Sequence, residues 1–146
     1  MVRVLEIMKT VFRFRSKDFN MKIPHDYFIN PACFGDDLAL WIIKKLRKQG
    51  IATSDAPDQE DFGWYFTYTV NNKEYCVLVG FQPNDVSKGD CWIGEIERHV
   101  GFAGSILGGR RRGIDSEAIE VIDGVLRSAP EIRNLEWLSG TSTVSR

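Results

Sequence analysis

The chain has 146 residues, 43% of them apolar and 12% aromatic, with a formal net charge of −1. That length suits one domain with a single core. Near-neutrality excludes a global pull toward nucleic acid or an anionic membrane, and no run of 18 apolar residues offers a membrane span. Charge is nonetheless segregated. Residues 1–50 hold ten Lys/Arg against five Asp/Glu, and residues 51–105 hold three against nine. The two segments can neutralise each other within one fold.

Residues 2–16 read as a strand bent near Lys9. Glu6 and Lys9 fall where a secretory signal needs unbroken apolar residues. Phe12 and Phe14 alternate with Arg13 and Arg15, so the arginines share one face. That face is either simply solvated or a cationic strip for an acidic partner. Residues 17–35 form a long connection, broken by Pro24 and Pro31. A helix follows, capped by Gly35 or Asp36, with Asp36 and Asp37 in its first turn and Gly50 at its end. Leu38, Ala39, Ile42, Ile43 and Leu46 share its apolar arc. Trp41 lies at the edge of that arc, to close the core or to anchor a partner. Residues 52–61 read as a solvated acidic loop.

Asp61 to Phe81 reads as one β-hairpin about Asn71-Asn72, since Asn tolerates the positive φ of a type I′ turn. This register sets Val70 against Lys73, Tyr68 against Tyr75, Phe66 against Val77, Trp64 against Val79 and Phe62 against Phe81, all on one face. A slip of one residue would turn a whole apolar set to the wrong side. After a turn at Gln82–Asp85, Cys91 to His99 reads as a further strand. Residues 101–113 hold five glycines and the run Arg110, Arg111 and Arg112, and read as a surface loop. Asp115 or Ser116 starts a second helix with an arc of Ala118, Ile119, Val121, Ile122, Val125, Leu126 and Ala129, stopped by Pro130. Ile132 to Leu138 reads as a last strand. The predicted order is β-α-β-β-β-α-β: an α+β two-layer sandwich, largely antiparallel, with two helices on one face. Residues 1–138 form the single domain and residues 139–146 a loose tail.

Catalytic signatures are absent. His25 and Cys33 could be brought together by the connecting loop, but a lone Cys is usually a small buried hydrophobe. Glu95 and Glu97 project from one strand face and could join Asp90 or Asp61 in a carboxylate cluster. The blander expectation is an exposed acidic edge or ion pairs with Arg13 and Arg15. Zinc spacing is lacking, so no metal or cofactor is expected. Cys33, Cys76 and Cys91 are odd in number, without CxxC spacing, and are expected to be reduced thiols in a cytoplasmic protein. The arginine loop precedes a helix N-terminus, a natural anion site, but lacks the Walker pattern.

The Glu60-Asp61-Phe62-Gly63-Trp64 lead-in to an aromatic hairpin, the later Trp92 strand, and the final helix with its Trp137 strand resemble small bacterial α+β proteins, some of the immunity type. The resemblance spans residues 35–138 and implies blocking of a cognate toxin or enzyme by binding it. The expectation is a non-enzymatic binding protein of immunity or inhibitor type. Its expected contact residues are Arg110, Arg111, Arg112, Arg13, Arg15 and Trp41. The alternatives are a nucleic-acid or phosphate-binding accessory protein using the arginine loop, and a small enzyme with a carboxylate or Cys-His site.

Overall fold

In the computed structural model, residues 9–60, 63–82, 91–99 and 113–139 are described. Asn71 and Asn72 adopt φ of 53° and 64°, the left-handed pair that a type I′ turn needs. They join β3 (Gly63–Val70) to β4 (Lys73–Phe81). The register is the expected one: Val70 lies opposite Lys73, Tyr68 opposite Tyr75, Phe66 opposite Val77 and Trp64 opposite Val79. Phe62 falls outside the described residues, and Phe81 pairs on its other side with Trp92 of β5 (Cys91–Arg98).

β1 (Lys9–Arg15), β2 (Asp58–Glu60) and β6 (Arg133–Ser139) complete a six-stranded antiparallel sheet in the order β2-β3-β4-β5-β1-β6. Cross-strand pairing carries one apolar face through four strands, from Trp64, Phe66 and Tyr68 through Val77 and Val79 to Trp92, Ile96, Phe12 and Phe14. Gly94 is the one small residue in this path. A Cβ there would lie 2.1 Å from the Phe12 ring, which occupies the space a side chain would need.

Two helices cover this face among the described residues. α1 (Asp36–Lys48) buries Leu38, Ala39, Ile42, Ile43 and Leu46, as its periodicity predicts. It ends in a Schellman arrangement. Gly50, at φ 80°, donates to the Arg47 carbonyl, and Ile51 donates to the Leu46 carbonyl. α2 (Ser116–Arg127) buries Ala118, Ile122, Val125 and Leu126. The Asp115 side chain makes no cap bond to this helix; it pairs instead with Lys73 at the hairpin tip, 3.1 Å away. Both helices join the sheet in one core.

The large aromatics also carry polar handles. Trp64 Nε1 donates to the Cys33 carbonyl (2.9 Å), Trp92 Nε1 to the Ser16 carbonyl (3.1 Å), and the Tyr68 hydroxyl to the Ala118 carbonyl (2.8 Å). Trp137 Nε1 donates to Asp123 Oδ1 of α2 (2.8 Å). Each bond satisfies a buried or half-buried donor and fixes a different covering segment. Burial and the neighbouring Tyr75 push the Tyr68 phenol far up, so it stays a hydrogen-bond donor.

Two expectations need correction. The tail of the acidic loop is not simply solvated: Asp58 to Glu60 pair with Tyr65 to Gly63 as the edge strand β2. Glu95 and Glu97 are not an exposed acidic edge, for they are 1% and 7% accessible. β5 lies between β4 and β1, and Glu95 sits between Leu78 and Val11. Strand neighbours on both sides, which local sequence does not encode, keep β5 from being a sheet edge. Arg13 pairs with Glu136 of β6. Asp61, Asp90, residues 2–8 of the predicted first strand, and residues 140–146 of the predicted tail lie outside the described residues.

Replacing Gly94 with Ala forces the Phe12 ring out of its position. The expected loss is about 1–3 kcal/mol, the usual cost of overpacking a filled core. Denaturant unfolding at fixed m-value measures it. A variant within about 0.5 kcal/mol of the parent would show that the Phe12 contact is not tight.

Candidate functional site

The connection between β1 and α1 is held at several points. Asn20 closes its start: Oδ1 accepts from the Lys22 and Ile23 amides (3.1 and 3.2 Å), and Nδ2 donates to the Ile23 carbonyl (2.7 Å). The Asn20 amide donates to Asp37 Oδ2 of α1 (2.8 Å). At the far end Gln59 of β2 acts as a clamp. Its Oε1 accepts from the Ile29 and Asn30 amides, and its Nε2 donates to the Asn30 carbonyl (2.9 Å). Between these points Phe28 is buried against Trp64 and Phe34, with ring centroids 5.0 and 5.9 Å away.

Large apolar side chains of this anchored loop nonetheless stay outside. Ile23 is 73% exposed, Tyr27 62% and Ile29 84%, and among the described residues these are the exposed large hydrophobics. All three fall within seven residues of a loop whose backbone is tied to the body. In the sequence, residues 17–35 read as a connection with no contact residue expected in it. The available signal was three large apolar or aromatic residues in a Pro- and Asn-rich stretch without helix or strand period.

Tyr27 also reaches inward. Its hydroxyl donates to Asp36 Oδ2 in the first turn of α1, and His25 stacks on its ring at 5.1 Å. Asp36 is 7% accessible, and its Oδ1 has no hydrogen-bond partner. The hydrogen bond to Asp36, followed by burial and the negative charge of Asp36, pushes the Tyr27 phenol up to about 12. Burial raises the neighbouring Asp37 carboxyl, against the lowering effect of the Asn20 amide. A phenol held protonated in this way donates a hydrogen bond and is a poor base or nucleophile near neutral pH. Cys33 and His25 engage different groups: the Cys33 thiol lies 3.9 Å from the Glu60 carbonyl, while His25 packs on Tyr27 and Phe28. The three cysteines are free.

Of the residues expected to make contacts, Arg13 and Arg15 do lie together. They line a groove of about 280 Å³ with Phe14, Asn134, Leu135 and Glu136. Arg13 is held there by Glu136, with Nε donating to Oε1 at 2.7 Å. Trp41 closes the core. Its ring meets Phe19 edge to face at 5.6 Å, and Lys45 Nζ lies 5.5 Å from its centroid. Arg110, Arg111 and Arg112 lie outside the described residues. Among the described residues no group of three or more His, Cys, Asp or Glu could hold a metal, and no helix is long and apolar enough to cross a membrane.

No protein-family model, curated protein or solved structure matches the chain.

Replacing Tyr27 with Phe removes the one donor to the buried Asp36 carboxylate found among the described residues. Because the phenol is largely exposed, the expected loss is about 1 kcal/mol, the low end of the range for stranding a buried polar group. The pH dependence has a definite sign. The phenol is raised in the folded chain, so its contribution is complete below its ordinary value of 10.0. It fades as pH rises toward about 12. The gap in Tm between parent and variant should be constant at pH 7–9 and close above pH ~10. A gap that widens with pH contradicts the assignment.

Proposed function

We propose that this chain is a non-enzymatic binding protein of immunity or inhibitor type, which neutralises a partner protein by docking the Ile23–Ile29 loop into it. One observation carries the reading: the loop is pinned by Asn20, Phe28, Tyr27 and Gln59, yet presents Ile23, Tyr27 and Ile29 to solvent. Exposed apolar clusters are costly to keep in water and recur at contact surfaces. A loop already ordered loses little conformational entropy on binding, so more of its apolar burial appears as affinity. Occlusion of a partner's working surface by such a loop needs no chemistry from the inhibitor itself.

The proposed contact surface is a different one from Arg13, Arg15, Trp41 and the Arg110–Arg112 run, the last of which lies outside the described residues. Trp41 is partly buried against the core, and Arg13 is engaged by Glu136. The nucleic-acid alternative loses Arg13 as an unengaged cation. For the catalytic alternative, His25 stacks on Tyr27 and the Cys33 thiol lies 3.9 Å from the Glu60 carbonyl.

Replacing Ile23 and Ile29 together with Ala tests the reading. Both side chains are exposed, so stability should stay within about 0.5 kcal/mol of the parent. Partner affinity should fall by about tenfold or more, as for truncation of interface anchors. Affinity capture from the native cells with parent and variant side by side, followed by assay of the captured protein's own activity, provides the measurement. A partner held and inhibited equally by both proteins would rule out the loop as the contact.

A further inference from the structure

Lys22 to Tyr27 form an unbroken run of exposed residues before the chain turns inward at buried Phe28. Lys22 is the one Lys or Arg in that run, and Ile23 follows it directly. One side chain brackets the peptide bond between these two residues. Asn20 Oδ1 accepts from the Lys22 amide (3.1 Å) and from the Ile23 amide (3.2 Å), which belongs to the bond itself. Asn20 Nδ2 donates to the Ile23 carbonyl (2.7 Å). None of these three bonds uses the Lys22 carbonyl or its ammonium. Those are the two groups read by an enzyme that cuts after a basic residue: an acidic pocket takes the cation, and oxyanion donors take the carbonyl oxygen.

Both sides of this bond are tied to the body of the protein. On the Lys22 side, the Asn20 amide donates to Asp37 Oδ2 of α1 (2.8 Å). On the Ile23 side, Pro24 fixes its own φ, and the Phe28 amide donates to the His25 carbonyl (3.0 Å). Phe28 then packs on Trp64, and Gln59 holds the backbone at Asn30. A cut between Lys22 and Ile23 would therefore free neither end. Asn20 lies on one side of the cut and bonds to Ile23 on the other, so it spans the break.

We propose that the partner is an endopeptidase that cuts after a basic residue, that Lys22 fills its specificity pocket, and that Asn20 makes the loop an inhibitor instead of a substrate. The assignment rests on the Ile23–Ile29 loop being the contact surface. The enzyme's nucleophilic oxygen or sulfur attacks the Lys22 carbonyl carbon, and its base takes the nucleophile's proton. The bond from that carbon to the Ile23 nitrogen breaks, and the nitrogen receives the proton from the same base. In a free peptide the new amine diffuses away and water replaces it. Here Asn20 Oδ1 accepts from the Ile23 nitrogen and Nδ2 holds the Ile23 carbonyl, so the amine stays beside the acyl group. Its return attack is an intramolecular step, which re-forms the peptide bond and regenerates the enzyme's nucleophile. The ordered loop also loses little conformational entropy on docking.

Inhibition of trypsin by the purified full chain tests this, with chymotrypsin as comparator and mass spectrometry to locate any cut. Trypsin should be inhibited competitively, and chymotrypsin about a hundredfold less. Lys22→Ala should weaken inhibition of trypsin by about a hundredfold or more. Lys22→Phe should move inhibition from trypsin to chymotrypsin, a reversal that a merely structural lysine would not give. Lys22 is exposed, so both variants should fold as the parent does. Asn20→Ala should be cut between Lys22 and Ile23 about tenfold or more faster than the parent, in a chain that still melts cooperatively. Inhibition of trypsin that survives Lys22→Ala overturns the proposal, as does a parent cut at this bond as fast as Asn20→Ala. A parent that leaves trypsin active, yet captures and inhibits another protein through Ile23 and Ile29, overturns the peptidase assignment and leaves the loop as the contact surface.

Discussion

The rest of the structure depends on the register that Asn71 and Asn72 impose. Two consecutive left-handed residues match the twist of the flanking strands and permit one alignment of β3 on β4. Because side chains alternate along a strand, this alignment collects Trp64, Phe66, Tyr68, Tyr75, Val77 and Val79 on one face. β5 and β1 extend the face, and the Phe12 ring fills the gap left at Gly94. A displaced register would bury Thr67 and Glu74 in place of these rings and leave neither helix a surface to cover.

Hydrophobic burial alone would not determine where the covering segments sit, since it is non-directional. The direction comes from the polar ends of the same aromatics. Trp64 holds the connection at Cys33, Trp92 holds the end of β1 at Ser16, and Tyr68 holds α2 at Ala118. The loop that displays Ile23, Tyr27 and Ile29 is thereby tied to the core at its base, through Phe28 and Cys33 beside Trp64. A rigid scaffold under an exposed loop is the usual physical arrangement for a contact surface. Tyr27 joins the two regions, with its ring outside and its hydroxyl on the buried Asp36.

Charge segregation along the chain has a partial structural counterpart. Arg13, from the basic first third, is matched by Glu136 near the other end of the chain. Within the middle third, Glu95 and Glu97 are buried on the interior strand β5. Lys73 crosses from the hairpin tip to Asp115 at the start of α2, and Arg47 reaches Asp55 across the turn after α1. Exposed pairs of this kind contribute little stability individually. They do determine which cations remain available at the surface.

The sequence by itself determined the local elements: the hairpin and its register, both helices with their buried arcs, the Gly50 terminus, and the α+β class. These follow from short-range rules, namely Asn at positive φ, apolar periods of two and 3.6, and glycine at helix ends. Strand order was decided only by tertiary structure, because neighbours in a sheet can be distant in sequence. Hence the burial of Glu95 and Glu97, the pairing of Arg13 with Glu136 across 123 residues, and the bulge at Asn134 had no local signature. Arg13 and Arg15 were legible as a pair because strand alternation alone puts them on one side. The exposed loop was not, because an isoleucine in a connection can turn inward or outward. Gln59, 30 residues beyond Ile29, holds the backbone that sends it outward.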